Sequence, residues 1–315
     1  MLFEKPKVSV LMSVYNAEPY LRKSLDSLVN QTLKEIEIIC VEDGSTDNSE
    51  EILKEYSKKY RNVKYYRQNR DNLGQYQALN GALLKARGKY VAECDADDWV
   101  ELDMYEKLYK ASEGKADVVS CGIYEEWGDT TTECKIVDND SGLFRPDYFY
   151  NIRKIIGNKP CFPAGIYKRT FIIGNHLIYR IYAKYDDTSL LFKIRTNAKL
   201  YAIVSECLYH YRKNNPNSGS LTDLNTDGLR EQYRYMREYD CIKGLRLECE
   251  ITAIQFYGYL WHLSRFEDAK DREKFLEIMS KDLAAVPYRR DMFNSEDDYE
   301  LFKKIREGRA KLKLN

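Results

Sequence analysis

Histidine and paired cysteines are scarce in this sequence, and their scarcity limits the sites that it can build. Only three histidines occur among the 315 residues, at positions 176, 210 and 262, which nearly excludes a metal site made of several imidazoles. The eight cysteines form no C-x-x-C pair, and several of them lie in apolar runs. We therefore expect reduced, mostly buried thiols rather than disulfides or a structural zinc ion.

Net charge and long hydrophobic runs are also absent. Lys+Arg and Asp+Glu number 50 each, so no overall field favours nucleic acid or an acidic partner. No apolar run is long enough to span a bilayer and no signal-peptide pattern opens the chain, so we expect a cytoplasmic protein. Tyrosine, by contrast, is abundant. Its 27 side chains combine a ring with a polar tip, which suits clefts that bind polar ligands such as sugars.

Predicted strands and helices alternate through the first hundred residues. Apolar strands at 7–16, 36–41, 63–66 and 90–92 are separated by helices at 18–31, about 47–60 and 75–87. This alternation predicts an α/β fold, with a mostly parallel sheet, right-handed crossovers and helices on the faces of the sheet. Further helices are predicted at 102–113 and 183–194, and further strands at 117–123, 199–204 and 208–212. Between them, turns at 129–133 and 138–142 suggest a hairpin.

The pattern changes after about residue 225. Leu229, Tyr233 and Met236 repeat at helical spacing, and residues 249–266 are apolar nearly all round, as in a buried helix. We therefore divide the chain into an α/β domain at 1–225, with halves at 1–100 and 101–225, and a helical extension at 226–315. The extension could support a homodimer. Its end, 303–313, has six basic residues against one acidic residue, which predicts a solvated helix end or peripheral contact with an anionic membrane.

Acidic residues cluster directly after the fourth predicted strand. Asp95, Asp97 and Asp98 fall within four positions, and carboxylates packed this closely repel one another. A divalent cation such as Mg²⁺ or Mn²⁺ relieves that repulsion, because hard cations prefer carboxylate oxygen. Asn16 and Asp43 follow the first and second strands in the same way. Ligands of alternating α/β sheets bind at these strand ends, so we expect one cleft that holds a metal and a phosphorylated ligand.

Four segments carry a resemblance to a known family. They are V-S-V-L-M-S-V-Y-N at 8–16, N-Q-T at 30–32, V-E-D-G-S-T-D at 41–47 and D-A-D-D at 95–98. In this order and spacing they resemble the family-2 glycosyltransferases, which have the GT-A fold. The resemblance is dense over the first hundred residues and thinner to about residue 220. It implies a Rossmann-like sheet that binds a nucleotide sugar, with a helical extension outside the family pattern.

The resemblance implies roles for the residues that would bind the nucleotide. Tyr15, between Val14 and Asn16, matches the ring that packs on the base. Asp43 matches the carboxylate that accepts a hydrogen bond from the base, typically uracil. Gly74 matches the glycine of an Asn-x-Gly turn beside the nucleotide.

The D-x-D motif of the family falls on Asp95, Ala96 and Asp97. The resemblance implies that Asp95 contacts the ribose or a metal-bound water and that Asp97 coordinates the metal. Asp98 continues the acidic turn, and the sequence does not distinguish which of the three carboxylates binds the metal directly. Alternatively, the three are a solvated turn that caps the next helix.

A second acidic pair implies the catalytic base. Family-2 enzymes resemble inverting catalysts, in which a carboxylate deprotonates the acceptor hydroxyl. The family has this carboxylate as the Asp of an E-D pair before an apolar helix. Here Asp186 stands at the Glu position and Asp187 at the position of the base. The alternative for Asp187 is a helix N-cap.

Other polar residues match the family less closely. His210 is a candidate metal ligand or simply a structural histidine, and Arg212 is a candidate contact for the diphosphate. The family often reads A-R-N after the Asn-x-Gly turn, whereas residues 78–80 read A-L-N, so Arg67 or Arg70 could supply the missing charge. Residues 163–167 also depart from the family pattern on the acceptor side.

Together these features predict a metal-dependent, inverting glycosyltransferase that uses Mn²⁺ or Mg²⁺. The expected donor is a UDP-sugar, and the expected acceptor is a glycan or lipid-linked saccharide in surface polysaccharide synthesis. One alternative is a non-catalytic domain that binds a glycan or a partner through its tyrosines. A sugar-nucleotide nucleotidyltransferase is a further alternative, but residues 13–17 lack the glycine- and lysine-rich loop that would bind a triphosphate.

Overall fold

The structure is a computed structural model that describes residues 5–68, 73–135, 143–144, 162–181, 185–216, 218 and 224–310. These residues fall into two compact units, one ending at Asn215 and the other continuing from Pro216. The predicted domain limit at residue 225 stays a prediction.

The first unit is built on one mixed sheet. Its strands run in the spatial order β3-β2-β1-β4-β9-β6-β10-β5, while β7 pairs with β6 and β8 with β10. In chain order they are β1 (Val8–Val14), β2 (Ile36–Glu42), β3 (Val63–Arg67), β4 (Tyr90–Glu93), β5 (Trp99–Val100), β6 (Val118–Glu126), β7 (Thr131–Cys134), β8 (Leu143–Phe144), β9 (Gly165–Lys168) and β10 (Tyr201–Arg212).

Helices connect these strands and cover the sheet. In chain order they are α1 (Glu18–Val29), α2 (Ser49–Lys59), α3 (Gln75–Lys85), α4 (Met104–Ala111), α5 (Arg169–Gly174) and α6 (Asp186–Asn197). All residues of β2 and β4 are buried, as expected for a sheet that is covered on both faces. The apolar stripe of α3 lies inward, and it consists of Ala78, Leu79, Ala82 and Leu83.

The order of the strands brings the predicted polar strand ends to one edge. The strand β1 pairs in parallel with β2 on one side and with β4 on the other. Consequently Val14, Glu42 and Glu93, the last residues of the three strands, end at the same edge of the sheet. The prediction of an α/β fold with a mostly parallel central sheet is confirmed.

Several elements differ from the sequence-based expectation: β5, β8 and α5 were not predicted, and β7 overlaps the predicted turn at 129–133. The strands predicted at 199–204 and 208–212 form one strand, β10, which is irregular between Val204 and Tyr209 where its register against β6 shifts. A shift of this kind breaks the alternation of side chains, so the pattern looked like two short strands. The antiparallel strand β9, inserted between β4 and β6, was not predicted because its four residues lack a clear period. The predicted turn at 138–142 lies outside the described residues.

The described residues of the second unit are mainly helical. They form α7 (Thr226–Lys243), α8 (Glu248–Leu263), α9 (Ala269–Leu283), a short 3₁₀ helix (Arg290–Met292) and α10 (Glu296–Arg306). Phe256, Phe275 and Phe302 are fully buried in its core. Side chains of Asn225, Asp268 and Ser295 cap three of these helices by accepting backbone N–H groups.

The basic end of the chain is partly described. Lys303 pairs with Glu300, Arg309 pairs with Glu307, and the guanidinium of Arg306 donates to backbone carbonyls at 2.7 and 2.8 Å. Membrane contact through this end, like the homodimer, stays a prediction. No helix in the described part of the chain is both long enough and apolar enough to cross a bilayer.

Candidate donor and catalytic site

The loops that follow β1 and β2 are joined by hydrogen bonds. The backbone N–H of Thr46 donates to Oδ1 of Asn16 at 2.8 Å, and the N–H of Ala17 donates to Oγ of Ser49 at 2.9 Å. Asn16 has a positive φ of 48°, a conformation that asparagine tolerates better than most residues. Asn16 therefore holds the two loops together, and the ring of Tyr15 beside it remains 45% exposed and available for stacking.

Asp43 lies buried just beyond the end of β2. Its carboxylate accepts hydrogen bonds from the backbone N–H groups of Leu73 and Gly74, both at 2.8 Å, and from Nε2 of Gln68 at 2.6 Å. Burial raises the pKa of Asp43, although the two backbone N–H groups oppose the shift. An ionised carboxylate accepts about four hydrogen bonds, so one acceptor position remains. The backbone of Asp43 is also fixed to the end of β1, because the carbonyl of Val14 accepts the N–H of Asp43 at 2.9 Å.

The turn after β4 contains two carboxylates, Asp95 and Asp97, that form no ion pair with the part of the chain that the structure describes. Oδ1 of Asp95 accepts a hydrogen bond from Nε2 of Gln75 at 3.3 Å, and Oδ2 of Asp97 accepts one from Nδ2 of Asn215 at 2.7 Å. Ala96 between them is buried. The turn therefore presents carboxylate oxygens to the edge of the sheet.

Asp98 is different, because the protein engages both of its oxygens. The side chain is 1% exposed, and it accepts the Tyr209 hydroxyl at 2.6 Å and the backbone N–H of Arg212 at 2.8 Å. Burial, with the charges of Asp95 and Asp97, raises the pKa of Asp98 well above the usual range. This geometry argues against Asp98 as a metal ligand. Its contacts instead join the acidic turn to β10.

His210 is also unsuited to bind a metal in this arrangement. Its Nδ1 lies 2.7 Å from Oε1 of Glu126 and its Nε2 lies 2.9 Å from Oε1 of Glu101. The ring is stacked between Trp99 and Tyr124, at centroid distances of 4.9 and 4.6 Å. Since carboxylates engage both ring nitrogens, the interpretation of His210 as a structural residue is the one that the geometry favours.

Of the arginines considered for the diphosphate, Arg212 lies at the acidic turn. Its Nε donates to the backbone carbonyl of Asp97 at 2.8 Å, and its guanidinium lies 4.6 Å from the ring centre of Tyr20. Arg67, at the end of β3, instead pairs with Glu50 of α2 at 2.8 Å, which argues against a diphosphate contact. Arg70 lies outside the described residues.

The second acidic pair opens α6. Asp186 is fully buried, and it accepts the backbone N–H of Arg180 at 2.6 Å and the Nε of Arg180 at 2.8 Å. Asp187, the next residue, is exposed. Desolvation by the surrounding protein, with the charge of Asp186, raises the pKa of Asp187. A carboxylate with a raised pKa accepts protons more readily, which suits a general base.

Contacts of α3 bring the two acidic segments close together, because Gln75 donates to Asp95 and the hydroxyl of its neighbour Tyr76 accepts the N–H of Asp186. Burial, with the charges of Asp97 and Asp187, raises the pKa of Asp95 to about 7. Three aspartates from two separate elements therefore share one electrostatic environment. Mutual repulsion of this kind is what a bound cation or a proton would relieve.

The donor set fits a divalent cation that is completed by its substrate. Among the described residues, no group of three or more His, Cys, Asp or Glu side chains is placed to hold a metal by itself. Mg²⁺ and similar ions are commonly held by one or two carboxylates, with substrate phosphates and waters as the remaining ligands. Asp95 and Asp97 supply two such carboxylates without a competing ion pair.

Several polar contacts of this region were not predicted. Gln75, Tyr76 and Asn80 of α3 reach Asp95, the start of α6 and the backbone of Tyr179, respectively. Tyr179 in turn donates its hydroxyl to the buried carboxyl of Glu93 at 2.8 Å. The helical period of α3 identified its apolar stripe correctly, but it offers no signal for the distant polar partners of these three side chains. Asn80 matches the asparagine of the family's A-R-N, and the departure from that pattern is at Leu79.

The sequence and fold of this chain are similar to those of known glycosyltransferases. The model of glycosyl transferase family 2 matches residues 9–172. EpsH of Bacillus subtilis (strain 168), which is named as a glycosyltransferase, is 33% identical over 222 residues. That alignment covers 66% of this chain and 61% of EpsH, so the chain spans less than two thirds of this relative.

Solved structures share the fold at low sequence identity. Staphylococcus aureus TarS 1-349, in complex with UDP-GlcNAc, has a TM-score of 0.74 at 20% identity, covering 96% of this chain and 88% of that chain. The mannosyltransferase PcManGT of Pyrobaculum calidifontis, in complex with GDP-Man and Mn²⁺, has a TM-score of 0.55 at 14% identity, covering 97% and 87%. The fold is that of the GT-A glycosyltransferases, and the chain belongs to glycosyltransferase family 2.

Proposed function

We propose that this chain is a metal-dependent, inverting glycosyltransferase. It moves a hexose-type sugar from a UDP-sugar to a hydroxyl of a glycan or lipid-linked acceptor in surface polysaccharide synthesis. The observation that carries the proposal is that α3 contacts both the turn of Asp95 and Asp97 and the first turn of α6, where Asp187 lies. With Tyr15 and Asp43 at the neighbouring strand ends, these segments offer a ring for a nucleobase, carboxylates for a cation and a separate carboxylate for proton transfer.

In the proposed donor site, the protein binds the nucleotide from two sides. The exposed ring of Tyr15 stacks on the base, and the remaining acceptor position of Asp43 receives an N–H of the base. Asp95 and Asp97 hold a divalent cation, either Mn²⁺ or Mg²⁺, at the diphosphate. When bound, that cation stabilises the negative charge that develops on the leaving nucleoside diphosphate.

In the proposed chemical step, Asp187 acts as the base. It takes the proton of the acceptor hydroxyl while the hydroxyl oxygen forms a bond to the anomeric carbon. The bond between that carbon and the diphosphate oxygen breaks on the opposite face, so the configuration inverts. The raised pKa of Asp187 and its exposure both suit this role, because the residue must meet a substrate and accept a proton.

The neighbours support a nucleotide-sugar donor and a divalent metal, but they do not select UDP by themselves. TarS binds UDP-GlcNAc, whereas PcManGT binds GDP-Man and Mn²⁺, so the shared fold accommodates two nucleotides. The resemblance of Asp43 to the uracil-binding carboxylate of the family favours UDP. The lack of a glycine- and lysine-rich loop at residues 13–17 argues against a nucleotidyltransferase.

A panel of nucleotide sugars tests the proposal. Thermal unfolding is measured with 1:1 mixtures of MnCl₂ and UDP-glucose, UDP-galactose, UDP-GlcNAc or GDP-mannose, and release of the free nucleotide is measured in parallel. A ligand that binds only the native state raises the unfolding temperature. We expect stabilisation by a UDP-sugar and slow release of UDP. If a nucleotide sugar raises the unfolding temperature but none of them releases free nucleotide, the non-catalytic alternative would be favoured.

A further inference from the structure

Three consecutive residues at the start of α3 each contact a different part of the proposed site. The N–H of Gly74 donates to Asp43 at 2.8 Å, and Nε2 of Gln75 donates to Asp95 at 3.3 Å. The hydroxyl of Tyr76 accepts the backbone N–H of Asp186, next to the proposed base, at 3.0 Å. The start of α3 thus contacts the proposed nucleobase-binding residue Asp43, the acidic turn at Asp95, and Asp186, the neighbour of the proposed catalytic base.

The contact of Tyr76 meets a specific need of α6. The first backbone N–H groups of a helix have no partner within the helix, and an N-cap side chain usually accepts one of them. Here the N-cap is Tyr185, in a left-handed conformation with a φ of 56°, and its side chain does not cap the helix. The Tyr76 hydroxyl, 110 residues away along the chain, accepts the N–H of Asp186 in its place.

Tyr76 is itself held in position. Its ring stacks on the ring of Tyr179, with centroids 4.5 Å apart and planes 11° from parallel. Asn80, one helical turn further along α3, bonds the backbone of Tyr179 twice, at 2.9 Å to the carbonyl and 3.1 Å from the N–H. The Tyr179 hydroxyl donates to the buried carboxyl of Glu93 at the end of β4. These contacts leave the Tyr76 ring little freedom to move.

We propose that Tyr76 is a positioning residue for Asp187. Its hydroxyl fixes the first turn of α6. Its neighbours in the chain, Gly74 and Gln75, contact Asp43 in the proposed nucleotide site and Asp95 in the acidic turn. The distance between the base and the donor is then set by one short, rigid segment of α3. The inference rests on the proposed role of Asp187.

The test is the variant Tyr76→Phe, which keeps the stacked ring and removes only the hydroxyl. A displacement of about 1 Å in a catalytic group costs up to about a hundredfold in rate. We expect the kcat for UDP release from UDP-GlcNAc, UDP-glucose or UDP-galactose to fall about tenfold to a hundredfold. The KM for the same UDP-sugar and the affinity for UDP with Mn²⁺ should stay within about twofold, because the nucleotide contacts remain.

A second measurement needs no turnover. Hydrogen exchange of the backbone N–H groups in the first turn of α6, measured by mass spectrometry, should become about tenfold faster in Tyr76→Phe, since one hydrogen bond is lost. The matched control is Tyr56→Phe, which removes a hydroxyl that donates to Asp26 at 2.7 Å between α2 and α1. That control should leave kcat, KM and the exchange of α6 unchanged.

The outcomes separate this inference from the proposed function. Unchanged exchange in α6 of Tyr76→Phe would overturn the inference, as would an equal loss of kcat in Tyr56→Phe. A rise in KM that matches the fall in kcat would also overturn it, because it would mean that the nucleotide site had changed. Full turnover in Asp187→Asn, by contrast, would overturn the proposed base while faster exchange of α6 in Tyr76→Phe would still support the link between α3 and α6.

Discussion

The candidate site contains two pairs of neighbouring aspartates, Asp97–Asp98 after β4 and Asp186–Asp187 at the start of α6. In each pair, one member is buried and both of its oxygens accept hydrogen bonds from the protein. The other member is less engaged by the described residues. Asp97 accepts one hydrogen bond, from Asn215, and Asp187 is exposed. Each pair thus contains one buried carboxyl that accepts hydrogen bonds from the protein and one more accessible carboxyl, which we propose meets a ligand.

From this comparison we propose that, in each pair, the carboxyl with two hydrogen-bonded oxygens has a structural role and the more accessible carboxyl has a chemical one. A buried carboxyl that accepts several hydrogen bonds is expensive to replace, because its partners lose their acceptor. An open carboxyl costs little in stability when it is removed, so its effect should be on binding or rate. Substitutions of single members of each pair therefore test whether one carboxyl is structural and the other chemical.

The largest effect is expected for Asp187→Asn. Loss of a general base typically lowers a rate by about 10²–10⁴-fold, and asparagine keeps the shape of the side chain while it cannot accept the proton. We expect UDP release and transfer to fall by that factor, while calorimetry shows UDP binding with Mn²⁺ within about twofold of the parent. An unchanged rate would remove Asp187 from the chemistry and break the comparison for the second pair.

The matched variant in that pair is Asp186→Ala. It leaves the N–H and Nε of Arg180 without their acceptor, and each buried unsatisfied group costs about 1–3 kcal/mol. We expect the free energy of unfolding, measured in urea, to fall by at least that amount. A variant as stable as the parent would mean that Asp186 does not hold the start of α6.

For the first pair, Asp98→Ala should lower stability without removing the metal dependence of UDP binding. The Tyr209 hydroxyl and the Arg212 N–H lose their acceptor, which costs about 1–3 kcal/mol, although the raised pKa of Asp98 shows that burying this carboxyl is itself unfavourable. Urea unfolding and UDP titrations with and without Mn²⁺ measure the two effects. Loss of the Mn²⁺ effect at unchanged stability would reverse the roles of Asp97 and Asp98.

A smaller effect is expected from pH. The pKa of Asp95 is about 7, above the usual value of about 4 that it has in an unfolded chain, so between these pH values the folded state binds more protons. The stability of the metal-free protein should therefore fall as pH rises from about 4 to 7. Mn²⁺ replaces the proton, so the rise in unfolding temperature on adding MnCl₂ should be larger at pH 8 than at pH 5. Equal rises at both pH values would contradict a cation at Asp95.

The sequence indicated much of this arrangement, and the part that it missed has a physical reason. Strand and helix periods are local, so they located β1 to β4, and their alternation indicated a parallel sheet with polar strand ends at one edge. The acidic positions were likewise visible as residues after strands. Burial and hydrogen bonding are long-range: the partners of Asp98 lie 111 and 114 residues away, so no local pattern could separate it from Asp97.

The same reason explains His210 and Arg67. Both were candidate ligands on residue type and position, yet each is engaged by carboxylates from other parts of the fold, His210 by Glu101 and Glu126 and Arg67 by Glu50. Tyr76 shows the reverse case. It lies at helical spacing from Leu79 and Leu83, on the flank of the apolar stripe, so the helical period predicts partial burial but not its contact to α6, which spans 110 residues.

The most direct test of the account is a calorimetric titration of UDP into the parent protein and into Asp97→Ala, each with and without MnCl₂. The account predicts that Mn²⁺ raises the affinity of the parent for UDP at least tenfold, and that this increase is lost in Asp97→Ala while the urea midpoint stays near that of the parent. If Asp97→Ala binds UDP with the same dependence on Mn²⁺ as the parent, the acidic turn does not hold the metal and the central claim is wrong.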